Sequence, residues 1–184
     1  MVTTHLLSPL QLDSLSMPMR LAIVQRLEND KTATAAELAR RMGRPVTSLY
    51  HHLGHLEAVG LIHVVGERRG MRRPEAVYAM VADQFSSADA VKTPDGLKSY
   101  ARTATRVAEA GARAFSAAAA SGAARFDGDG RNAMLRFFVL RADHAKLALL
   151  NKLLGALEDA LREQSSEGEE IMLTLLLSPQ QVKS

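Results

Sequence analysis

The chain is expected to be an α+β fold, mainly helical, and three observations lead there. Up to residue 82, apolar residues recur three times at helical spacing, and two β-type runs then flank a glycine-containing turn. From Gly96 to Gly122 the chain is rich in alanine, with a seam at alternating steps of three and four. Beyond residue 132, two short apolar runs bracket a long amphipathic stretch. The expected organisation is an N-terminal domain over 1–82, a linker over 83–95, and a C-terminal region over 96–184 for dimerisation and sensing.

The elements follow in order. Pro18 opens a first helix reaching about Glu28, because proline is favoured where a missing N–H costs nothing. Met19, Ile23, Val24 and Leu27 form its apolar stripe. Thr34 with Glu37 fits a capping box and starts a second helix carrying Ala35, Leu38, Ala39 and Met42. Gly43 ends it, and Pro45 opens a third helix with Leu49, His52, Leu53 and Leu56 on one face. His52 therefore reads as a structural, partly buried histidine. Gly60 stops this helix. Leu61 to Val65 and Ala76 to Val81 read as the strands of a hairpin.

Residues 83–95 are polar, with Ser, Asp and Pro, and read as a linker. In the next helix, Leu97, Ala101, Ala104, Ala108, Gly111 and Phe115 form the seam. Small residues there allow close helix approach, so these six are the candidate dimerisation residues, with packing against the chain's own long C-terminal helix as the alternative. DGDG at 127–130 is a turn. Residues 133–140 (AMLRFFVL) and 170–177 (EIMLTLLL) read as strands on either side of a helix from Ala142 to Gln164. Helix is the rival reading for both runs, since short apolar runs fit either period.

Composition narrows the function. The chain has 184 residues, 47% of them hydrophobic, with no Trp and no Cys. Lack of cysteine excludes a disulfide framework, a thiolate metal site and a cysteine nucleophile. There is no apolar run of about 18 residues, so no membrane span is expected. The start lacks the pattern of a signal peptide, and the cytoplasm is the expected compartment. The net charge of +3 is unevenly placed. Residues 1–82 hold 10 Lys+Arg against 7 Asp+Glu, and the remainder is balanced. Much of the excess sits in the hairpin turn, where Arg68, Arg69, Arg72 and Arg73 surround Gly70. Positive charge concentrated in this way points to a polyanion partner.

The segments MPMRLAIVQRL, TAAELARRMGRPVTSLYHHLGHLEAVGLIHVV and ERRGMRRPEAVYAM together resemble the ArsR-like winged helix-turn-helix regulators of bacteria. The resemblance spans roughly residues 10–82. It implies a recognition helix at about 45–58 and a wing at 66–74 that tracks DNA phosphates. The residues agree on independent grounds. A helix after a tight turn can enter the major groove, and arginines on a neighbouring turn can neutralise phosphates. At about 100° per residue, Thr47, Tyr50, His51 and His55 fall opposite the apolar face, with Arg44 and Ser48 at its edge. The candidate DNA-binding residues are thus Arg44, Thr47, Ser48, Tyr50, His51, His55, Arg68, Arg69, Arg72 and Arg73.

Other sites fail on chemistry. The cysteine pair that metal-sensing members of this family carry would fall at Thr34 and Ala36, neither a soft ligand. Asp143–His144 resembles half of a second family site and lacks the other half. His51 and His55, four apart, suit DNA contact better than metal. Asp127 and Asp129 lack the further ligands of a calcium loop. No metal or cofactor is expected, and no catalytic constellation is visible. The preferred reading is a homodimeric, sequence-specific regulator of transcription, read as a repressor, with double-stranded DNA as partner and a small-molecule effector left open. The alternative is a winged-helix module that binds proteins without reading DNA.

Overall fold

The computed structural model describes residues 3–70, 73–162 and 168–179. They fall into two compact units, one within Met1–Gly111 and Thr174–Ser184, the other within Ala112–Leu173.

The first unit holds the core. Its elements run β1 (Thr4–Leu6), α1 (Pro9–Leu15), α2 (Pro18–Asp30), β2 (Thr32–Thr34), α3 (Ala35–Arg41), α4 (Thr47–Ala58), β3 (Ile62–Arg69), β4 (Pro74–Met80) and β5 (Gln84–Ser86). A 3₁₀ turn at Ala90–Lys92 follows, and then α5 (Pro94–Ser121) begins. One antiparallel sheet has the order β2-β4-β3, and β1 pairs in parallel with β5. Ile23, Leu27, Leu38, Leu49, Leu53, Leu56, Leu61 and Ile62 are fully buried where α2, α3, α4 and the sheet meet. The six helical ones are the apolar stripes that the spacing predicts, and Leu61 and Ile62 belong to the expected β-type run.

Local chemistry places each helix. The Thr34 hydroxyl accepts from the Glu37 N–H at 3.2 Å, and the Glu37 carboxylate accepts from the Thr34 N–H at 2.8 Å. The expected capping box is therefore present at the start of α3. Gly43 takes φ 59°. The Arg44 N–H reaches back to the Ala39 carbonyl at 2.9 Å, so the turn between α3 and α4 is tight. Gly60 repeats the arrangement after α4, with φ 69°.

Sequence spacing missed α1, although Ser8 and Gln11 form a second capping box. That S-x-x-Q signal was legible, but the helix has only two turns.

Two expectations need correction. The segment 83–95 is more than a linker. β5 pairs with β1 over Thr4↔Gln84, His5↔Phe85 and Leu6↔Ser86. The Asp83 carboxylate accepts from the Thr3 N–H and hydroxyl, which holds its pKa below the usual value. Phe85 packs on the core and Ala90 is buried. The partners lie about eighty residues upstream, beyond the reach of a local composition signal. Thr93 then caps α5, accepting from the Gly96 N–H at 3.1 Å.

The strands expected at 133–140 and 170–177 are not formed. Both runs lack regular structure and are largely exposed, Phe137 at 83%. A strand exists only through its ladder partners, and none pairs with these runs among the described residues. The expected strand-helix-strand portion is thus an irregular run, a helix α6 (His144–Arg162), and a second irregular run.

In the second unit, Asp143 caps α6 by accepting from the Lys146 N–H at 2.8 Å. The expected turn at 127–130 is present. Arg125 and Asn132 close it, and Asn132 donates to Glu169 at 2.9 Å. That bond, followed by the Arg125 guanidinium, keeps the Glu169 carboxyl below its ordinary range.

Candidate nucleic-acid interface

α4 turns one face inward and one outward. Leu49, Leu53 and Leu56 anchor it at full burial, so the opposite side must face solvent. Thr47, Ser48, Tyr50 and His51 are exposed there, with Arg44 exposed in the preceding turn. Ser48 is held by its hydroxyl donating to the Pro45 carbonyl at 2.7 Å. Gly54 leaves a gap on the same face, since a Cβ there would have no neighbour within 4 Å.

The histidines separate by environment. His51 is exposed and meets the His52 ring edge-on, 5.7 Å between centroids. His52 is half-buried, as expected, and its Nδ1 has no hydrogen-bond partner. Burial, and then the nearby Arg20 cation, hold its pKa below the ordinary value. His55 is also half-buried and shifted down by the same two causes in the same order. It is therefore a less open contact than the helical projection predicts. Arg20 on α2 was not selected from the sequence, because nothing in its neighbours marks it. Only the fold brings its charge to this histidine row.

The hairpin differs in detail from expectation. β3 continues through the arginines to Arg69, and β4 begins at Pro74, paired as Arg69↔Pro74. The register shifts between Val64 and Gly66, a bulge that bends the strand. Arg69 and Arg73 are exposed. Arg68 is exposed as well, but its guanidinium donates to the Glu37 carboxylate at 2.5 Å. Arg72 lies outside the described residues. Gly70 serves close packing: a Cβ there would come within 2.5 Å of the Arg73 carbonyl oxygen and 2.7 Å of the Glu75 carboxylate. Tyr78 on β4 has its pKa raised by burial, then by Glu57 and Tyr50, so the sheet and α4 share one electrostatic neighbourhood.

The six seam residues on α5 are less uniform than their spacing suggests. Ala104, Ala108 and Gly111 are half-buried, while Leu97, Ala101 and Phe115 are exposed. The Thr174 side chain occupies the space beside Gly111. Phe115 meets Phe126 edge-on at 6.1 Å between centroids. The start of α5 docks on α1 through an Arg102–Asp13 ion pair and a Thr103 hydroxyl bond to the Leu12 carbonyl.

Among the described residues no three His, Asp or Glu side chains converge as a metal cluster, and no helix is long and apolar enough to cross a membrane.

Residues 15–65 match a family model described as a helix-turn-helix domain. No curated protein matches the chain. The matched span begins at the end of α1 and closes inside β3, so it contains α2, α3, the tight turn and α4. The N-terminal part is thus a helix-turn-helix domain, the class of module found in DNA-binding regulators.

Proposed function

We propose that this chain is a sequence-specific DNA-binding regulator of transcription, of the ArsR-like winged type, acting as a homodimeric repressor. One observation carries the reading. α4 buries its leucines completely and leaves Thr47, Ser48, Tyr50 and His51 exposed, beside Arg44 and a hairpin bearing Arg69 and Arg73. In this reading α4 lies in the major groove and its polar face contacts base edges. The β3–β4 hairpin is the wing, and Arg69 and Arg73 meet phosphates. Arg68 braces the hairpin through Glu37. His55, half-buried and biased to the neutral form, contributes at the rim of the face. Two copies reading two half-sites double the phosphate contacts, and the α5 seam is one surface through which copies could pair.

The test is binding to selected operator DNA against scrambled DNA at physiological salt. Alanine at Thr47, Ser48, Tyr50 or His51 narrows the gap between the two, each lost base contact costing about 1–3 kcal/mol. Arg69→Ala with Arg73→Ala weakens binding to both DNAs alike and flattens the log–log salt slope by about one unit per lost phosphate contact. A chain that binds scrambled and selected DNA equally, or neither, is instead a protein-interaction module.

A further inference from the structure

Glycine is a poor residue for a helix interior. Alanine is the better helix former at a solvent-facing position, because glycine loses more backbone freedom on folding. Two local causes account for other glycines of the first unit. Gly43 and Gly60 take positive φ, which a side chain disfavours. Gly70 and Gly96 lie so close to other atoms that a Cβ would collide. Neither cause applies to Gly54. It stands exposed inside α4 (Thr47–Ala58), its φ is not positive, and a Cβ there would meet nothing within 4 Å. The first unit itself does not use the gap.

Position on the helix says what does. At about 100° per residue, Gly54 projects between Tyr50 and His51, one turn further along, and away from buried Leu49, Leu53 and Leu56. That is the middle of the face proposed to read base edges. Chemistry then narrows the group that fills the gap. The N–H and carbonyl of an interior helical residue are taken up in the helix ladder. Gly54 therefore offers no free donor or acceptor, and a base amino or carbonyl group set against it would lose water without a partner. Phosphate fits no better. Exposed Glu57 stands three positions on, on the neighbouring turn, and its carboxylate repels an anion there. An apolar group does fit. In the major groove the apolar group on a base edge is the C5 methyl of thymine. Tyr50, exposed four positions before, supplies ring surface beside it.

We propose that Gly54 is a specificity-determining residue, whose missing side chain receives the C5 methyl of one thymine in the bound sequence. Resting on the DNA-reading function above, this assigns one base position to one residue and to apolar contact alone. A methyl added on the protein side takes the same space. Protein and DNA therefore compete to supply one methyl group, and exchanging its owner is the test.

The full chain first selects a duplex from random DNA. Each thymine of that duplex is then replaced in turn by deoxyuridine, which lacks only the C5 methyl. Affinities are measured by fluorescence anisotropy for wild type and Gly54→Ala. In wild type one thymine, or one in each half of a symmetric site, stands out, its replacement weakening binding roughly fourfold, the value of one buried methyl. Gly54→Ala binds the thymine duplex about fivefold or more weakly, as overpacking demands. It binds the deoxyuridine duplex more tightly than the thymine one, reversing the wild-type order. Its melting temperature rises by roughly 2–8 °C, because alanine suits the free helix better. The proposal is overturned if no thymine responds, if Gly54→Ala keeps the wild-type order, or if it weakens both duplexes alike. A lowered melting temperature also overturns it, by showing that the glycine serves the fold. A chain that selects no sequence overturns the DNA-reading function itself, whereas one that selects a sequence without these effects at Gly54 overturns the methyl contact alone.

Discussion

Glu37 joins two parts of the proposed DNA-binding surface, and replacing it separates their contributions. One carboxylate oxygen accepts from the Thr34 N–H at 2.8 Å, and the other accepts from Arg68 at 2.5 Å. Glu37→Ala leaves the N–H of buried Thr34 without its partner and frees Arg68. An unmade bond at a buried donor costs about 1–3 kcal/mol, and a half-exposed ion pair contributes under about 1 kcal/mol. The Arg68 side chain is 49% exposed, so screening keeps its share small. A total of about 1–2 kcal/mol is expected for Glu37→Ala, and about 0.5 kcal/mol for Glu37→Gln, which keeps the cap and loses the charge. Urea unfolding followed by circular dichroism measures both. The pH dependence has a fixed sign. Hydrogen bonding from the Thr34 backbone, more than the Arg68 charge, lowers the Glu37 pKa below its ordinary 4.5. The stability linked to ionisation is therefore present above about pH 4.5 and fades as pH falls through the folded-state value. The gap between wild type and Glu37→Gln should close over that window. If Glu37→Gln is as unstable as Glu37→Ala, or the gap does not change with pH, the cap is not the main contribution and the reasoning fails.

Three further outcomes are expected. Leu53→Ala opens a cavity at a fully buried site and should cost about 2–5 kcal/mol in urea unfolding. Gly96→Ala would set a Cβ 1.9 Å from the Ala90 carbonyl oxygen, so it should destabilise the first unit although alanine is worth about 1 kcal/mol over glycine in a free helix; a raised melting temperature would contradict the packing of α5 on the 3₁₀ turn. His52 is held neutral by burial and then by Arg20, with smaller effects from His51 and His55. Its contribution to stability is present above its ordinary 6.5 and lost as pH falls through the lower folded value. Unfolding midpoints of His52→Leu should accordingly vary less between pH 7 and pH 5 than those of wild type, and equal slopes would show that the ring is not desolvated.

Much of the first unit was legible in the order of residues because its signals are local. Apolar spacing marks α2 and α4, Thr34 and Glu37 sit three apart at the start of α3, and Gly43 and Gly60 stand where the chain must turn left-handed. The outward face of α4 follows from the same arithmetic, since burying Leu49, Leu53 and Leu56 leaves Thr47, Tyr50 and His51 outside. What required the tertiary structure is every relation between distant residues. β5 in the supposed linker depends on β1, the brace on Arg68 depends on Glu37 thirty-one positions earlier, and Arg20 reaches the histidines only because α2 packs on α4. The runs 133–140 and 170–177 show the opposite limit. Their residues suit strands, but a strand needs a neighbour to bond with, and whether that neighbour is present is a property of the assembled fold and not of the segment.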